Sequence, residues 1–173
     1  MTPASFRFET LADGHNRAAF RCGDDALDRY FQTQATQDIR RRITNCFVVV
    51  EVATFSVAAY YTLSATSIPL LDLALDERKR LPRYPTLPAV RIGRLAVDQR
   101  FQRRGLGELM LVNAVHRTIQ DAAAAFALLV DAKNDQAAAF YQRYGFRPVV
   151  DRPRILFLPL ATAQKTLLQK TEL

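Results

Sequence analysis

Arg94-Leu95-Ala96-Val97-Asp98-Gln99-Arg100-Phe101-Gln102-Arg103-Arg104-Gly105-Leu106-Gly107 decides how the rest of the chain is read. An apolar run ending at Val97 is followed by a short basic turn, two glycines one residue apart and a helical pattern from Leu106. A strand–turn–helix joint of this kind gathers backbone N–H groups into one concavity. The new helix adds its positive dipole end. Gly105 and Gly107 carry no Cβ, so the backbone can approach an anion closely. Arg103 and Arg104 add charge. The stretch reads as a pyrophosphate cradle. It is not a dinucleotide fingerprint, because no third glycine follows and no βαβ unit starts there. It is not a Walker-type loop either, because no Gly-Lys-Ser/Thr follows.

The flanks read as mixed α/β. Ala89–Val97 is a strand, and Leu106 to about Ala124 a helix with Leu109, Val112, Val115, His116 and Ile119 on one side. Phe126–Val130 is a buried strand. Asp135 caps a short helix that runs to Arg143, and Gly145 ends it. Val149-Val150 and Ile155–Leu158 form a hairpin, and a last amphipathic helix spans Ala161–Leu168. Upstream, Phe6 and Phe8 alternate with Arg7 and Glu9 as a first strand. Asp24 and Asp25 offer an N-cap to a helix running to about Arg42, with Leu27, Tyr30, Phe31, Ala35 and Ile39 at helical spacing. Phe47–Val50 and Val57–Leu63 are strands, with their turn near Ala53-Thr54. Four of the eight prolines (Pro69, Pro82, Pro85 and Pro88) make residues 69–88 mostly loop, with one short helix over Leu73–Arg80.

With 173 residues the chain is read as a single domain, 1–173, able to bury a core without disulfides. The hydrophobic fraction of 49% and charged fraction of 24% exclude intrinsic disorder. No run reaches a membrane span, and Met1–Ser5 is not a secretory signal. Cys22 and Cys46 suit a reducing, cytoplasmic setting. With only His15 and His116 besides, no metal site is expected. The net charge is +7, and of 24 cations only Lys79, Lys133, Lys165 and Lys170 are lysines. Guanidinium forks match phosphate oxygens, so a polyanionic partner fits the clusters. The same richness also suits plain solvated faces.

Gln102-x-x-Gly105-x-Gly107 after an apolar strand, Asn134, and the segment Ala138–Phe146 resemble the GNAT superfamily of N-acetyltransferases. Further stretches are similar to the acetyltransferase toxins of type II toxin–antitoxin pairs. They are Cys22-Gly23 with Leu27-Asp28 and Tyr30, Gln37-Asp38, Tyr60–Ala65, Leu81–Pro85 and Gly93–Asp98. One departure is Ala58-Ala59 where a glycine often precedes the Tyr-Tyr pair. The resemblance implies a mixed, mostly antiparallel sheet flanked by helices, splayed in a V between strands near 90–98 and 126–131. It implies acetyl-CoA as donor and transfer to the free α-amino group of aminoacyl-tRNA, which blocks translation. A ribbon-helix-helix antitoxin, operator DNA met only through that antitoxin, and a homodimer are implied as well. Leu160–Leu168 is one place where a dimer contact would form.

On the same resemblance, the backbone of Leu95, Ala96 and Val97 pairs with the pantetheine arm. Gln102 and the amides of Arg103, Arg104, Gly105, Leu106, Gly107 and Glu108 surround the pyrophosphate. Asn134 and Phe140 touch the pantetheine, and Tyr141 gives a proton to the leaving sulfur. By spacing alone, Phe140, Tyr141 and Tyr144 are core residues. Asp98 is either a base or a fastener of the turn, His116 a partly buried satisfied histidine, and Cys22 a small core residue. Arg78, Lys79, Arg80, Arg83, Arg91 and Arg94 are the tRNA candidates; Arg40–Arg42 face RNA or an acidic antitoxin tail. The alternatives are an acetyltransferase of a small amine or protein N-terminus, marked by an acidic acceptor mouth, and a CoA-binding regulator without turnover. A DNA-binding protein has no helix-turn-helix or finger pattern behind it.

Overall fold

The alternation at Phe6–Glu9 forms β1 (Phe6–Thr10) in the computed structural model, which describes residues 5–121 and 123–166. The helix predicted up to Arg42 forms in three parts: α1 (Asp25–Arg29), a π-helical turn (Tyr30–Gln34) and α2 (Ala35–Arg40). Asp24 caps α1, its carboxylate accepting from the N–H groups of Ala26 and Leu27. Leu27, Phe31, Ala35 and Ile39 explain the π turn. An α-helix advances about 100° per residue, so a stripe repeating every four residues drifts by about 40° per step. One wider turn, with the Ala35 N–H on the Tyr30 carbonyl, takes up that drift and keeps Tyr30, Phe31 and Ala35 all buried. Arg42 then turns left-handed (φ 59°), with its N–H on Ile39 and that of Ile43 on Asp38, closing the helix.

Seven strands form one mixed, mostly antiparallel sheet in the order β1-β2-β3-β4-β5-β7-β6. They include β2 (Asn45–Glu51), β3 (Val57–Pro69), β4 (Thr86–Val97), β5 (Ala127–Asp131), β6 (Arg147–Val149) and β7 (Arg152–Pro159). β3 continues well past the predicted Leu63. The β2–β3 turn holds Phe55 at φ 61°, without the Asn-Gly that such a turn usually selects. The parallel pairing of β4 with β5 runs from Ala89↔Ala127 to Ile92↔Val130, and β4 then continues to Val97.

The chain divides into two compact units: Met1–Ser64 with Gly93–Leu111, and Ala65–Ile92 with Val112–Leu173. The first is built on aromatic packing. Phe31 stacks on Tyr60 at 4.4 Å, Phe20 meets both edge-on, and Val48, Val50, Val57 and Ala96 complete the core. The second packs Ile68, Leu73, Leu87, Ala89, Ala127, Leu129, Val149 and Phe157 together. It carries a 3₁₀ turn (Leu70–Asp72), α3 (Leu75–Arg78), α5 (Asp135–Arg143) and α6 (Leu160–Thr166).

Two expectations need correction. α4 (Leu106–Gln120) buries Leu106, Met110, Leu111, Ala114, Val115 and Thr118. Leu109, His116 and Ile119, predicted on the buried side, are exposed. Leu109-Val112-His116-Ile119 and Leu106-Met110-Val115 are equally good stripes of one helix, and only the surrounding protein chooses between them. The cap of α5 is Asn134, not Asp135, its side-chain oxygen accepting from Ala137 N–H at 2.8 Å. The end of the last predicted helix, and with it part of the dimer expectation at Leu160–Leu168, lies outside the described residues.

Candidate active site

The turn after β4 is fastened by two side chains. Asp98 is 1% exposed and accepts from the backbone N–H of Arg21 (3.0 Å) and Arg100 (2.9 Å) and from the Arg100 guanidinium (3.0 Å). Burial alone would raise its carboxyl; those donors outweigh burial and hold it below the usual carboxylate range. Asp98 is therefore a fastener, with its lone pairs already engaged. Gln102 completes the turn, its side-chain amide donating to the carbonyls of Cys22 (2.9 Å) and Val97 (3.0 Å). The amide nitrogen of Gln102, a residue expected beside the pyrophosphate, is committed to shaping the turn.

Beyond Gln102 the backbone takes the left-handed region at Arg103 (φ 65°) and Gly105 (φ 78°). The first bond of α4 runs from Leu109 N–H to the Gly105 carbonyl, so Gly105 is the N-cap. A glycine brings no side chain to the orphan N–H groups of Leu106, Gly107 and Glu108, which have no acceptor among the described residues and are free for an external one. A helix of 15 residues stands behind them with its positive end. Arg104 lies over the Phe101 ring, and Arg103 and Arg104 are exposed. These residues fit a pyrophosphate. Along β4, Ala96 is buried while Leu95 and Val97 are half-buried.

In the second unit, Tyr141 on α5 is 9% exposed, with the rings of Phe140 and Phe146 edge-on at 5.2 and 5.3 Å. Burial pushes its phenol up to about 12, so it holds its proton throughout the physiological range. Phe140 and Tyr144 are half-buried and touch at 5.2 Å. Arg78, Lys79, Arg80, Arg83 and Arg91 lie in the same unit, and all but Arg78 are exposed. None of the five has an acidic partner among the described residues, whereas Arg147 and Arg152 are paired with Glu77 and Asp72. Arg94 stands apart in the first unit, stacked on Tyr30 with its guanidinium carbon 3.4 Å from the ring centroid.

Burial drives the Cys22 thiol up to about 11 and that of Cys46 to about 12, which keeps both as protonated, unreactive packing groups. His15 accepts the Ala12 N–H at Nδ1 (3.0 Å), which puts the ring proton on Nε2, facing Glu9 at 3.1 Å. Among the described residues no group of three or more His, Cys, Asp or Glu is placed to hold a metal, and no helix is long and apolar enough to cross a membrane. Sequence reasoning missed the Gln102 fastening and the shelf under Arg94, because both join residues far apart in the chain.

A parallel pairing that ends at Ile92 on a strand continuing to Val97, with an open-capped helix behind a basic turn, defines a GNAT acetyltransferase. The acetyltransferase (GNAT) domain family matches residues 80–156. A tRNA-acetylating toxin of Mycobacterium tuberculosis is 30% identical over 156 residues, covering 89% of this chain and 92% of that protein. A probable toxin TacT of Sinorhizobium fredii is 29% identical over 157 residues, covering 86% and 87%. AtaT, solved in complex with acetyl-methionyl-tRNAfMet, superposes with a TM-score of 0.84 at 26% identity, covering 96% and 99%. AtaT has also been solved with acetyl-CoA, with the antitoxin AtaR, and with AtaR on DNA. The chain belongs to the GNAT acetyltransferases, in the branch of the tRNA-acetylating toxins.

Proposed function

We propose that this chain moves the acetyl group of acetyl-CoA to the free α-amino group of aminoacyl-tRNA and so stops translation. The observation that carries the reading is the open N-terminus of α4 behind a fastened turn, on a chain similar over nearly its full length to a tRNA-acetylating toxin and to AtaT, which binds acetyl-methionyl-tRNA. The amides of Arg103 to Glu108 hold the pyrophosphate, and the backbone of Leu95, Ala96 and Val97 takes the pantetheine arm as an added strand. Asn134 and Phe140 lie along that arm, the Asn134 oxygen being committed to its helix cap. Acetyl-CoA supplies an activated acyl group as a thioester.

The acceptor needs little help. An α-amino group has a pKa of about 7.7–8.0, and esterification of its carboxyl lowers it further, so the neutral amine is well populated near neutrality. No strong general base is required: the proton that the amine loses on attack leaves through water, and the engaged carboxylate of Asp98 takes no part. A backbone N–H of the Leu95–Val97 segment stabilises the developing oxyanion. The leaving sulfur takes its proton from the Tyr141 phenol, which burial keeps protonated. The unpaired cations Arg78, Lys79, Arg80, Arg83 and Arg91 form the RNA-facing surface. A basic surface fits RNA; a mouth for polyamines would be acidic.

AtaT has been solved with its antitoxin AtaR and with AtaR on DNA, which supports an antitoxin partner here; its type, the homodimer and the cytoplasmic setting are proposed on the family resemblance alone. An antitoxin of ribbon-helix-helix type holds the chain inactive, operator DNA is met only through that complex, and the active form is a homodimer in the cytoplasm. A cell-free translation reaction tests the reading. Synthesis stops when the chain and acetyl-CoA are added, continues with CoA in place of acetyl-CoA, and continues with Tyr141→Phe. Arrest with CoA alone would assign the inhibition to binding rather than acetyl transfer.

A further inference from the structure

Arg94 differs from every other cation proposed to meet RNA. Lys79, Arg80, Arg83 and Arg91 are exposed and Arg78 is half-buried on α3 with its Nε unpartnered, whereas the Arg94 guanidinium lies over the Tyr30 ring, 3.4 Å from the centroid. The shelf is itself fixed. Tyr30 is 7% exposed, its hydroxyl donates to Asp38 at 2.9 Å, and Gln34 donates to the other Asp38 oxygen. The π turn is what brings Tyr30 to this place without losing the burial of Phe31. The strand is pinned as well: the Arg94 N–H donates to the buried hydroxyl of Thr62 at 3.0 Å. Gly93 eases that approach, because a Cβ there would stand 3.0 Å from the same hydroxyl oxygen and push it back.

With so much holding it, the guanidinium has no acceptor. No carboxylate, carbonyl or hydroxyl of the described residues takes a hydrogen bond from its N–H groups, and Asp38 is engaged by Tyr30 and Gln34. A stacked guanidinium uses one planar face and leaves its N–H edge free, and that edge matches two oxygens of one phosphate. A half-buried cation with an unfilled fork, held by contacts from the π turn and β3 with Asp38 of α2 fixing the Tyr30 shelf, is built for an external oxyanion.

We propose that Arg94 is a preformed phosphate clamp for the acceptor RNA: Tyr30 and Thr62 hold the guanidinium so that its N–H edge takes a phosphodiester bidentately. This rests on the reading of the acceptor as tRNA. It separates one oriented contact from the diffuse attraction of the Arg78–Arg91 cations. A phosphate could also belong to the coenzyme, so the test measures both ligands.

The test is the dissociation constant of deacylated tRNA against KCl concentration for the wild-type chain, Arg94→Ala, Arg94→Lys and Tyr30→Leu, with KM for acetyl-CoA and melting temperature measured beside it. Arg94→Ala weakens tRNA about tenfold, as loss of a charge-assisted pair does, and lowers the salt slope by about one phosphate. Arg94→Lys restores the slope but not the affinity, since lysine keeps charge and lacks the planar fork. Tyr30→Leu lowers affinity at unchanged slope. An Arg94→Ala chain that binds tRNA like the wild type overturns the clamp, as does full affinity in Arg94→Lys. A rise in the KM for acetyl-CoA with tRNA binding intact also overturns it and gives the phosphate to the coenzyme. If the tRNA responses are as stated but charged tRNA is not acetylated, the clamp stands and the acceptor reading falls. If charged tRNA is acetylated and Arg94→Ala changes nothing, the reverse holds. A wild-type chain that does not bind tRNA ends both.

Discussion

In the proposed reaction Tyr141 gives the proton to the leaving sulfur. Burial raises its phenol to about 12, which makes it a weaker acid than a phenol in water but leaves it protonated at every working pH; its use as a donor therefore rests on position rather than acidity. Tyr141→Phe keeps the ring contacts with Phe140 and Phe146 and removes the proton alone. It is expected to lower kcat by about 10²–10³, within the range for a positioned general acid, while KM for acetyl-CoA stays within about twofold. The pH profile follows the same logic. The rate rises as the acceptor amine loses its proton, near or below pH 7.7–8.0, and shows no alkaline fall below about pH 11 that Tyr141 could cause. A fall between pH 9 and 10 would assign the acid to another group. Asp98 shows the opposite case: the sequence allowed base or fastener, and its four hydrogen bonds decide for fastener.

At the level of elements, the joint between β4 and α4 does most for function. Gly105→Ala puts a Cβ on a residue at φ 78°, which costs on the order of 1–2 kcal/mol. It also narrows the approach to the amides behind it, so KM for acetyl-CoA is expected to rise several-fold with little change in kcat. Equal KM values in the two chains would move the pyrophosphate elsewhere. This joint was legible because its signal is local: an apolar strand, two glycines and a helix start are adjacent in sequence. β1, an α1 cap at the Asp24-Asp25 pair and the β2–β3 hairpin were legible for the same reason. The π turn was not, because Leu27, Phe31, Ala35 and Ile39 fit an α-helix almost as well. The buried side of α4 was misread because two stripes compete on one helix, and His116 went with the wrong one. Asn134 and Asp135 are both good caps, and periodicity does not rank neighbours. The Gln102 fastening and the Tyr30–Arg94 stack join residues far apart in sequence, where pattern reading has no reach.

Over the whole molecule, buried titratable groups set the alkaline limit of stability. Burial raises the thiols of Cys22 and Cys46 to about 11 and 12, the Tyr141 phenol to about 12, and the phenols of Tyr30 and Tyr60 further still. In the unfolded chain thiols ionise near pH 8.5 and phenols near 10. The stability these groups contribute is complete below those values and is lost as pH rises toward the folded ones. The melting temperature is therefore expected to begin falling near pH 9 and to fall steeply above 10; a flat profile from pH 9 to 11.5 would contradict the burial of these groups.

The net charge of +7 acts over the same scale. Replacing Arg78, Lys79 and Arg80 together by alanine should weaken charged tRNA and flatten the salt dependence of turnover by about two to three phosphate contacts. Unchanged slopes would place the RNA surface elsewhere. The most direct test of the central claim is transfer of label from acetyl-CoA to total charged tRNA, beside deacylated tRNA and a panel of small amines, with Tyr141→Phe as control. Label on the α-amino group of charged tRNA only, lost in the variant, is the predicted result. Label on small amines with charged tRNA untouched would leave the coenzyme site standing and contradict the acceptor.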